Sequence, residues 1–454
     1  MHYVATHNRL QTTTKAALTT TDEQRKQIYK ACFDTVDDLE AWSVGWFYYK
    51  HDMSHPPFNR IHRQNIALWF AWAYWDKHLN DVLADPKWAS QLEWMIDTVE
   101  AKHNIRFPAG LNHDIECVRL SLDPIQTIHR PLLFYLGIYL FVSLFDVCML
   151  KWRWQFQRYG NYSTVWGGVL SSVHQCFLWL GSCVADQERL SACSDKQDRQ
   201  LVYWYRPATT TSQLKRQCAT TDSKTPLVFM HGIGAGPSFY SILISDLVGM
   251  DRPLFVVEMP FATMRMVEDV PEAHDTAIGI KNMLNTHGYD KAVFVSHSFG
   301  TVATTWMKNM IPSAMAGAVM IDPVCFLQNH AHVCFNFVHR APKRLFQYLI
   351  FYFAARELYI MHYFSRLFRW QEGTFFVDPA HRSSLDNISV FLSEKDGVTD
   401  SSLVAKYLAK SGVDHQVMPH LEHGEFLMNW TWRKRILDQV DRVARRIDDE
   451  GVEL

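Results

Sequence analysis

The feature that most constrains the fold is an alternation of short apolar runs with helical stretches between residues 200 and 418. Runs rich in β-branched and aromatic residues predict strands, and the stretches between them have helical spacing. The predicted strands are 200–206, 227–230, 254–257, 292–295, 318–321, 388–392 and 416–418, with helices over 239–248 and 271–286. Strands that alternate with helices predict an α/β fold, in which a mostly parallel sheet has helices on both faces.

Three loops that follow predicted strands contain a serine, an aspartate and a histidine. They are Ser298, Asp396 and His423, in that chain order. Parallel strands place these loops along one edge of the sheet. A serine hydroxyl is a weak nucleophile, an imidazole can remove its proton, and a carboxylate orients the imidazole. We therefore predict that these residues form a catalytic triad, with Ser298 as the nucleophile.

The segment Ser296-His297-Ser298-Phe299-Gly300 is close to the G-x-S-x-G elbow, which exposes a nucleophilic serine at a strand-to-helix turn. A glycine-rich run, 231–236, follows an earlier predicted strand. Acyl transfer develops negative charge on the former carbonyl oxygen, and backbone N–H groups must face it. We predict that the amides of Ile233 and Phe299 form this oxyanion hole. Asp322, directly after another strand, stays open as an alternative acid.

A long insert separates the predicted strands 318–321 and 388–392, with more than sixty residues between them. This is too many for a simple crossover. Its central part, 342–370, is dense in phenylalanine and tyrosine. We predict a helical cap over 325–385 that covers the catalytic edge and suits an apolar acyl group. The alternative, that these aromatic residues only anchor the cap to the sheet, stays open.

The first half of the chain has a helical rather than a strand pattern. Residues 1–22 are rich in threonine, and we predict that they are disordered. A polar cap at Thr21 begins a helical region over 23–199. Ile66, Trp69, Phe70 and Ala73 form an apolar stripe in a predicted helix over 63–83. We expect the tryptophans of this region to pack inside the helical domain.

Residues 131–150 form an apolar run that is interrupted only by Asp146. As a helix the run would be about 30 Å long, enough to cross a bilayer, and cationic and aromatic residues flank it. A carboxylate in lipid is costly, so a buried helix is equally supported. A second uncharged run, 164–185, is less apolar and favours a buried helix.

Charge and cysteine content restrict the partners and the compartment. The net charge is −2 and there is no basic stripe, which argues against nucleic acid as a partner. Nine cysteines without a C-x-x-C spacing indicate free thiols in a reducing, intracellular compartment, with no metal site. The first twenty residues lack the apolar core of a secretory signal, and a mitochondrial presequence is only weakly indicated. No organic cofactor is implied.

The motifs resemble those of a known superfamily. Residues 200–450 resemble the α/β-hydrolases on His231-Gly232, Ser298, Asp396 and His423. The first half is similar to uncharacterised, mainly fungal α/β-hydrolase-domain proteins with a helical N-terminal extension. That similarity rests on the stretches 65–72, 119–124, 129–135 and 322–324. The resemblance implies a serine hydrolase, although the chain has Ser296 where the superfamily usually has glycine.

The combined motifs predict a function. We expect a serine hydrolase that cleaves a carboxylic ester, with a lipid-like or other apolar acyl substrate, through an acyl-Ser298 intermediate. Membrane contact through 131–150 is part of this expectation. Two alternatives stay open: an acyltransferase that uses the same triad, and a catalytically silent, membrane-associated scaffold.

Overall fold

The computed structural model describes residues 2–12, 20–160, 201–209, 224–377 and 386–452. The uncharged run predicted at 164–185 lies outside these residues, as do 378–385 of the predicted cap.

An eight-stranded sheet forms the centre of the described chain. Its strands are β3 (Gln157–Tyr159), β4 (Val202–Arg206), β5 (Leu227–Met230), β6 (Leu254–Glu258), β7 (Ala292–His297), β8 (Met315–Ile321), β9 (Ile388–Ser393) and β10 (Asp414–Met418). Their order is β10-β9-β8-β7-β5-β6-β4-β3. The strands from β10 to β6 are parallel to one another, whereas β4 is antiparallel to both of its neighbours. The predicted α/β fold class, with a mostly parallel sheet after a helical N-terminal region, is confirmed.

Strand β3 is the strand of this sheet that the sequence did not predict. It has three residues, pairs only with β4 at the sheet edge, and is partly exposed. A strand this short and this polar has no periodic apolar signal. The sheet therefore begins within the segment 23–199 that the sequence assigned to the helical region.

Helices cover both faces of the sheet. Before the sheet come α1 (His2–Gln11), α2 (Asp22–Phe33), α3 (Leu39–Trp46), α4 (Arg63–Trp75), α5 (Leu79–Leu83), α6 (Pro86–His103) and α7 (Leu132–Phe145). Within the sheet region lie α8 (Ser241–Gly249), α9 (Ala273–Thr286), α10 (Gly300–Met310), α15 (Ser401–Ser411) and α16 (Trp430–Val452). One face packs against α9, α10 and α15, and the other against α8 and α16.

The insert between β8 and β9 is helical, as predicted. It contains α11 (Ala331–Val338), α12 (Leu345–Ile350), α13 (Leu358–His362) and α14 (Trp370–Gly373). Helices α12 and α13 each continue as one turn of π-helix, to Ala355 and Leu367. We call the residues of this insert that the structure describes, 325–377, the cap.

The N-terminal helical region (residues 2–153) has its own aromatic core. Trp42, Trp46 and Trp69 are buried there, as expected for tryptophans that pack inside the domain, whereas Trp94 and Trp152 are exposed. A short antiparallel pair, β1 (Phe47–Tyr49) with β2 (Ile115–Cys117), adds to this core. The predicted helix 63–83 is instead two helices, because Asp76 at the end of α4 takes a left-handed conformation, φ +56°.

The predicted disorder of residues 1–22 is wrong for 2–11, which form α1. Leu10 is buried, and Arg9 forms an ion pair with Glu268. The Gln11 amide exchanges two hydrogen bonds, of 3.0 and 2.9 Å, with the backbone of Ile125. These are contacts between distant parts of the chain, and no local pattern in a threonine-rich segment could reveal them.

The apolar run at 131–150 forms α7 and then a π-helical segment to Arg153. Among the described residues, Leu132–Arg153 is the one helix long and apolar enough to cross a membrane, with a mean hydropathy of 2.1. Yet Asp146 is fully buried and lies 4.0 Å from the guanidinium of Arg265. Arg265 also donates to Glu258 at 2.9 Å, which in turn accepts from the Trp204 indole at 2.7 Å. The carboxyl group of Asp146 therefore belongs to a buried polar cluster that joins this helix to the sheet domain.

We predict that Arg265→Met lowers the free energy of unfolding by about 3–5 kcal/mol, because it removes the buried cation that pairs with both Asp146 and Glu258 and leaves Glu258 only its 3.9 Å contact with Arg158. Urea unfolding followed by circular dichroism measures the change. The control is Arg445→Met, since Arg445 pairs with Asp441 on the surface, where such pairs contribute about 0–1 kcal/mol. Equal effects of the two substitutions would contradict the anchoring role of Arg265.

Candidate active site

The turn between β7 and α10 has the geometry of a nucleophile elbow. Ser298 has φ +53°, a left-handed conformation that is uncommon outside glycine. Its amide donates to the Ile321 carbonyl at 3.0 Å. A serine held in such a strained turn projects its hydroxyl at the carboxyl end of the strand.

The close approach of α10 to the sheet explains the small residues around Ser298. A Cβ at Gly300 would lie 2.1 Å from the Met230 carbonyl oxygen, so only glycine fits there. Ser296 occupies the position where glycine is usual in this motif. It lies within β7, in register with Met230 and Met320, and its small side chain is fully buried. The departure from the motif therefore does not alter the elbow.

The structure brings the three predicted triad residues together. The Ser298 hydroxyl lies 2.8 Å from Nε2 of His423, and Nδ1 of His423 lies 2.8 Å from Oδ2 of Asp396. The other oxygen of Asp396 accepts from the amides of Val398 and Thr399, at 2.6 and 3.1 Å. In the neutral imidazole, Nδ1–H donates to Asp396 and Nε2 accepts from Ser298, which is the arrangement that activates a serine.

The surroundings of His423 favour its charged form. Burial lowers the pKa of His423, but the charge and hydrogen bond of Asp396, with the nearby charge of Asp322, raise it to about 9. The imidazole is therefore protonated at neutral pH. It must lose this proton before it can act as a base toward Ser298.

Asp322, the alternative acid, makes different contacts. Its two oxygens accept from the amides of Ser393 and Gly424, both at 2.8 Å. Ser393 ends β9, directly before the loop that contains Asp396, and Gly424 lies in the loop that contains His423. Burial raises the pKa of Asp322, but the close contact with His297 and the charge of His423 outweigh this, so that its pKa is lowered. Asp396 is therefore the carboxylate that is hydrogen-bonded to His423. Asp322 instead accepts hydrogen bonds from the backbone at the two loops.

A second series of polar contacts was not predicted from the sequence. The imidazole of His297 lies 3.6 Å from Asp322 on one side and 2.7 Å from the Tyr240 hydroxyl on the other. The Tyr240 oxygen accepts from the Gly232 amide at 2.9 Å. Burial lowers the pKa of His297 and keeps it neutral. The sequence contains one clue to these contacts, which is that His297 is next to Ser298.

The predicted oxyanion residues lie beside the nucleophile. Ile233 and Phe299 line the same cavity as Ser298 and His423. Neither amide donates to another residue in the part of the chain that the structure describes. Gly232 must be glycine, because a Cβ there would lie 2.9 Å from that of Ser298. Both residues thus lie beside the nucleophile, where the sequence predicts the oxyanion hole.

The cavity at Ser298 has a volume of about 160 Å³ and mostly apolar walls. The cap contributes Phe337, Ile350, Phe364 and Phe368. The N-terminal helical region contributes Trp46, Trp69, Trp72 and Leu120. The cap aromatics therefore do more than anchor the cap, and the N-terminal region forms part of the same site.

Asp322, Asp396 and His423 form the one group of potential metal ligands among the described residues, with ligand atoms within 4.8 Å of one another. Both oxygens of Asp322 accept from backbone amides, and Asp396 is shared between His423 and two amides. The carboxylate oxygens that would coordinate a metal thus already accept hydrogen bonds.

Comparisons with known proteins give only distant matches. No family model and no curated protein matches the chain. A carboxylesterase of the thaumarchaeon Nitrososphaera gargenis is 12% identical, with a TM-score of 0.39 over 56% of this chain and 98% of its own. Naproxen esterase from Bacillus subtilis is 13% identical, with a TM-score of 0.38 over 67% and 96%. A 2-hydroxy-6-oxo-6-phenylhexa-2,4-dienoate hydrolase from a Rhodococcus is 15% identical, with a TM-score of 0.38 over 53% and 95%. We draw nothing about function from matches this distant.

Proposed function

We propose that the protein is a serine hydrolase that cleaves carboxylic esters with an apolar acyl group. The observation that supports this most directly is the hydrogen-bonded series from Asp396 through His423 to Ser298 at the wall of an apolar cavity. A chance arrangement of three polar residues would not combine these distances with a left-handed serine at a strand end.

In the first half of the reaction, Ser298 Oγ attacks the ester carbonyl carbon while Nε2 of His423 takes the hydroxyl proton. The negative charge that develops on the carbonyl oxygen faces the amides of Ile233 and Phe299. Asp396 stabilises the imidazolium through Nδ1–H. When the tetrahedral intermediate collapses, the C–O bond to the alcohol breaks, and the imidazolium returns its proton to the leaving oxygen.

In the second half, a water molecule replaces the alcohol. His423 takes a proton from this water, which attacks the acyl carbon and forms a second tetrahedral intermediate. Collapse breaks the bond to Ser298 Oγ, which recovers the proton from His423. The products are a carboxylic acid and the free enzyme.

We predict that a fluorophosphonate probe labels the wild-type protein and Ser296→Ala but not Ser298→Ala. Ser296 is two residues away and buried without contact to His423, so it is the matched control. Gel fluorescence after labelling measures the result. Labelling of Ser298→Ala at the wild-type level would overturn the nucleophile assignment.

We predict that kcat/KM for a carboxylic ester rises with pH to a plateau with an apparent pKa near 9. Only the neutral form of His423 can accept the Ser298 proton, and raising the pH produces this form. Asp396→Asn should move the apparent pKa toward the ordinary histidine value of about 6.5, and should lower the plateau by about 10³-fold or more.

The control for this pH profile is Glu394→Gln, which removes a carboxylate from the same loop. Glu394 accepts from the His420 amide and does not contact His423, so the wild-type profile should remain. An unchanged profile in Asp396→Asn would contradict its role as the orienting acid.

We also propose that the outer face of α7 rests on a lipid surface. Leu133 is 75% exposed, and Leu136, Leu140, Phe141 and Leu144 are also exposed on this helix. The neighbouring cap segment adds exposed Leu345, Tyr348 and Leu349. The two segments meet where Phe134 stacks on Phe353, with ring centroids 6.2 Å apart. Apolar area of this kind, followed by Lys151, Trp152 and Arg153, is typical of a helix that lies in the membrane interface.

We predict that the wild-type protein co-sediments with vesicles of phosphatidylcholine and phosphatidylserine. Leu133→Ser with Leu140→Ser should weaken this binding by at least about tenfold, because it removes two apolar side chains from the contact. The control is Ile278→Ser, since Ile278 is an exposed apolar residue of α9. Wild-type protein that stays in the supernatant at all lipid concentrations would exclude the membrane contact.

A further inference from the structure

An open groove between the cap and the loop that follows β9 is lined mainly by cationic side chains. Four of its seven lining residues are lysine or arginine: Arg340, Lys343, Arg344 and Lys395. The other three are Gln347, Asp396 and Gly397. We call this surface the basic groove. The whole chain has a net charge of −2, so the excess of positive charge is local to the groove.

The acidic groups near the basic groove do not cancel this charge. Glu422 pairs with Arg344 at 2.9 Å. The carboxylate of Asp396 belongs to the triad and has no exposed surface. Glu394 contacts His420 at 3.4 Å. Within the described part of the chain, neither lysine of the groove forms an ion pair.

The two arginines of the basic groove lie close to each other. Arg340 donates to the Gly397 carbonyl, which is neutral, so this hydrogen bond does not cancel the charge of Arg340. Burial lowers the pKa of Arg340, the charge of Asp396 raises it, and the charge of Arg344 lowers it. The two guanidinium groups therefore repel each other, and an anion bound beside them would offset this repulsion.

The basic groove adjoins the exposed apolar side chains of the cap. Arg344 directly precedes Leu345, which is exposed, and the Arg344 carbonyl accepts from the Tyr348 amide at 3.0 Å. Arg344 and Tyr348 are thus one helical turn apart and lie on the same face of the segment. Tyr348 and the adjacent Leu349 are exposed as well. Cationic and apolar side chains therefore lie next to each other on this surface.

This combination suits a lipid surface better than a soluble anion. In a bilayer the phosphate groups lie directly outside the apolar chains, so one surface offers partners for both kinds of side chain. A soluble phosphate would contact the cations alone and would leave the leucine and tyrosine side chains in water.

We infer that the basic groove binds the phosphate group of an anionic phospholipid in the surface on which the cap lies. Lysine and arginine donate charge-assisted hydrogen bonds to phosphate oxygens. The inference rests on the proposed membrane contact and adds to it a preference for anionic over zwitterionic lipid. It does not depend on ester hydrolysis at Ser298.

The test is co-sedimentation with vesicles of phosphatidylcholine alone and of phosphatidylcholine mixed with phosphatidylserine. The wild-type protein should bind the anionic vesicles at least about tenfold more tightly. Lys343→Gln with Lys395→Gln should lower this preference by about tenfold. Both lysines are exposed, so the substitutions should leave the fold intact. An unchanged preference in this variant would overturn the inference.

The matched control is Arg442→Gln with Arg445→Gln. It also removes two positive charges, from a surface that is lined by residues of α16 alone. The preference for anionic vesicles should remain at the wild-type value. Equal losses in the two variants would mean that the attraction belongs to the charge of the whole protein, which would overturn the basic groove as a site.

The same measurement separates this inference from the proposed membrane contact. Equal wild-type binding to both kinds of vesicle would overturn the inference and leave the membrane contact standing. Absence of binding to either kind would overturn both. Leu133→Ser with Leu140→Ser should weaken binding to both kinds of vesicle and keep the preference, because it changes only the apolar contact.

A soluble source of the phosphate is tested by calorimetric titration with inorganic phosphate. Saturable phosphate binding by wild-type protein that shows no preference between the vesicles would assign the basic groove to a soluble anion. That result would overturn the lipid headgroup as its ligand.

Discussion

The arrangement at the catalytic edge depends on the two hydrogen bonds that Asp322 accepts. One fixes the loop after β9, which contains Asp396, and the other fixes the loop that contains His423. Through His297 and Tyr240, the same carboxylate is connected to the amide of Gly232 in the glycine turn. A buried carboxylate is costly unless it is hydrogen-bonded and paired. Because of this cost, the chain folds stably only when both loops donate to Asp322. The loops therefore take up these positions during folding, before any substrate binds.

The buried charges beneath α7 set the orientation of the apolar surface. A helix that only crossed a bilayer would have no need for a carboxylate near its end. Asp146 lies against Arg265, which also pairs with Glu258 on β6. The inner side of the helix is therefore joined to the sheet, and its leucines are left on the outer side. The run is long and apolar enough to span a membrane. Its contacts with the sheet instead favour a helix that lies on the surface of the protein.

Much of the fold followed from the sequence because its strands are continuous apolar runs and their loops contain distinctive residues. The proximity of Ser298, Asp396 and His423 could be predicted because each of them follows a strand whose position is evident. Strand β3 and helix α1 could not, since their stability comes from distant partners and not from local periodicity. The role of Asp322 depends on which amides lie within reach of it. Only the folded chain determines this.

Residues from both halves of the chain line the cavity. The part of the chain after the predicted boundary at residue 200 therefore does not contain the complete site. A chain that began at residue 200 would keep every atom of the triad. It would lose β3 from the sheet edge. It would also lose the tryptophan and leucine side chains of the N-terminal helical region that line one side of the cavity. Substitutions in the first half of the chain would therefore reshape the cavity without changing the contacts among Ser298, Asp396 and His423.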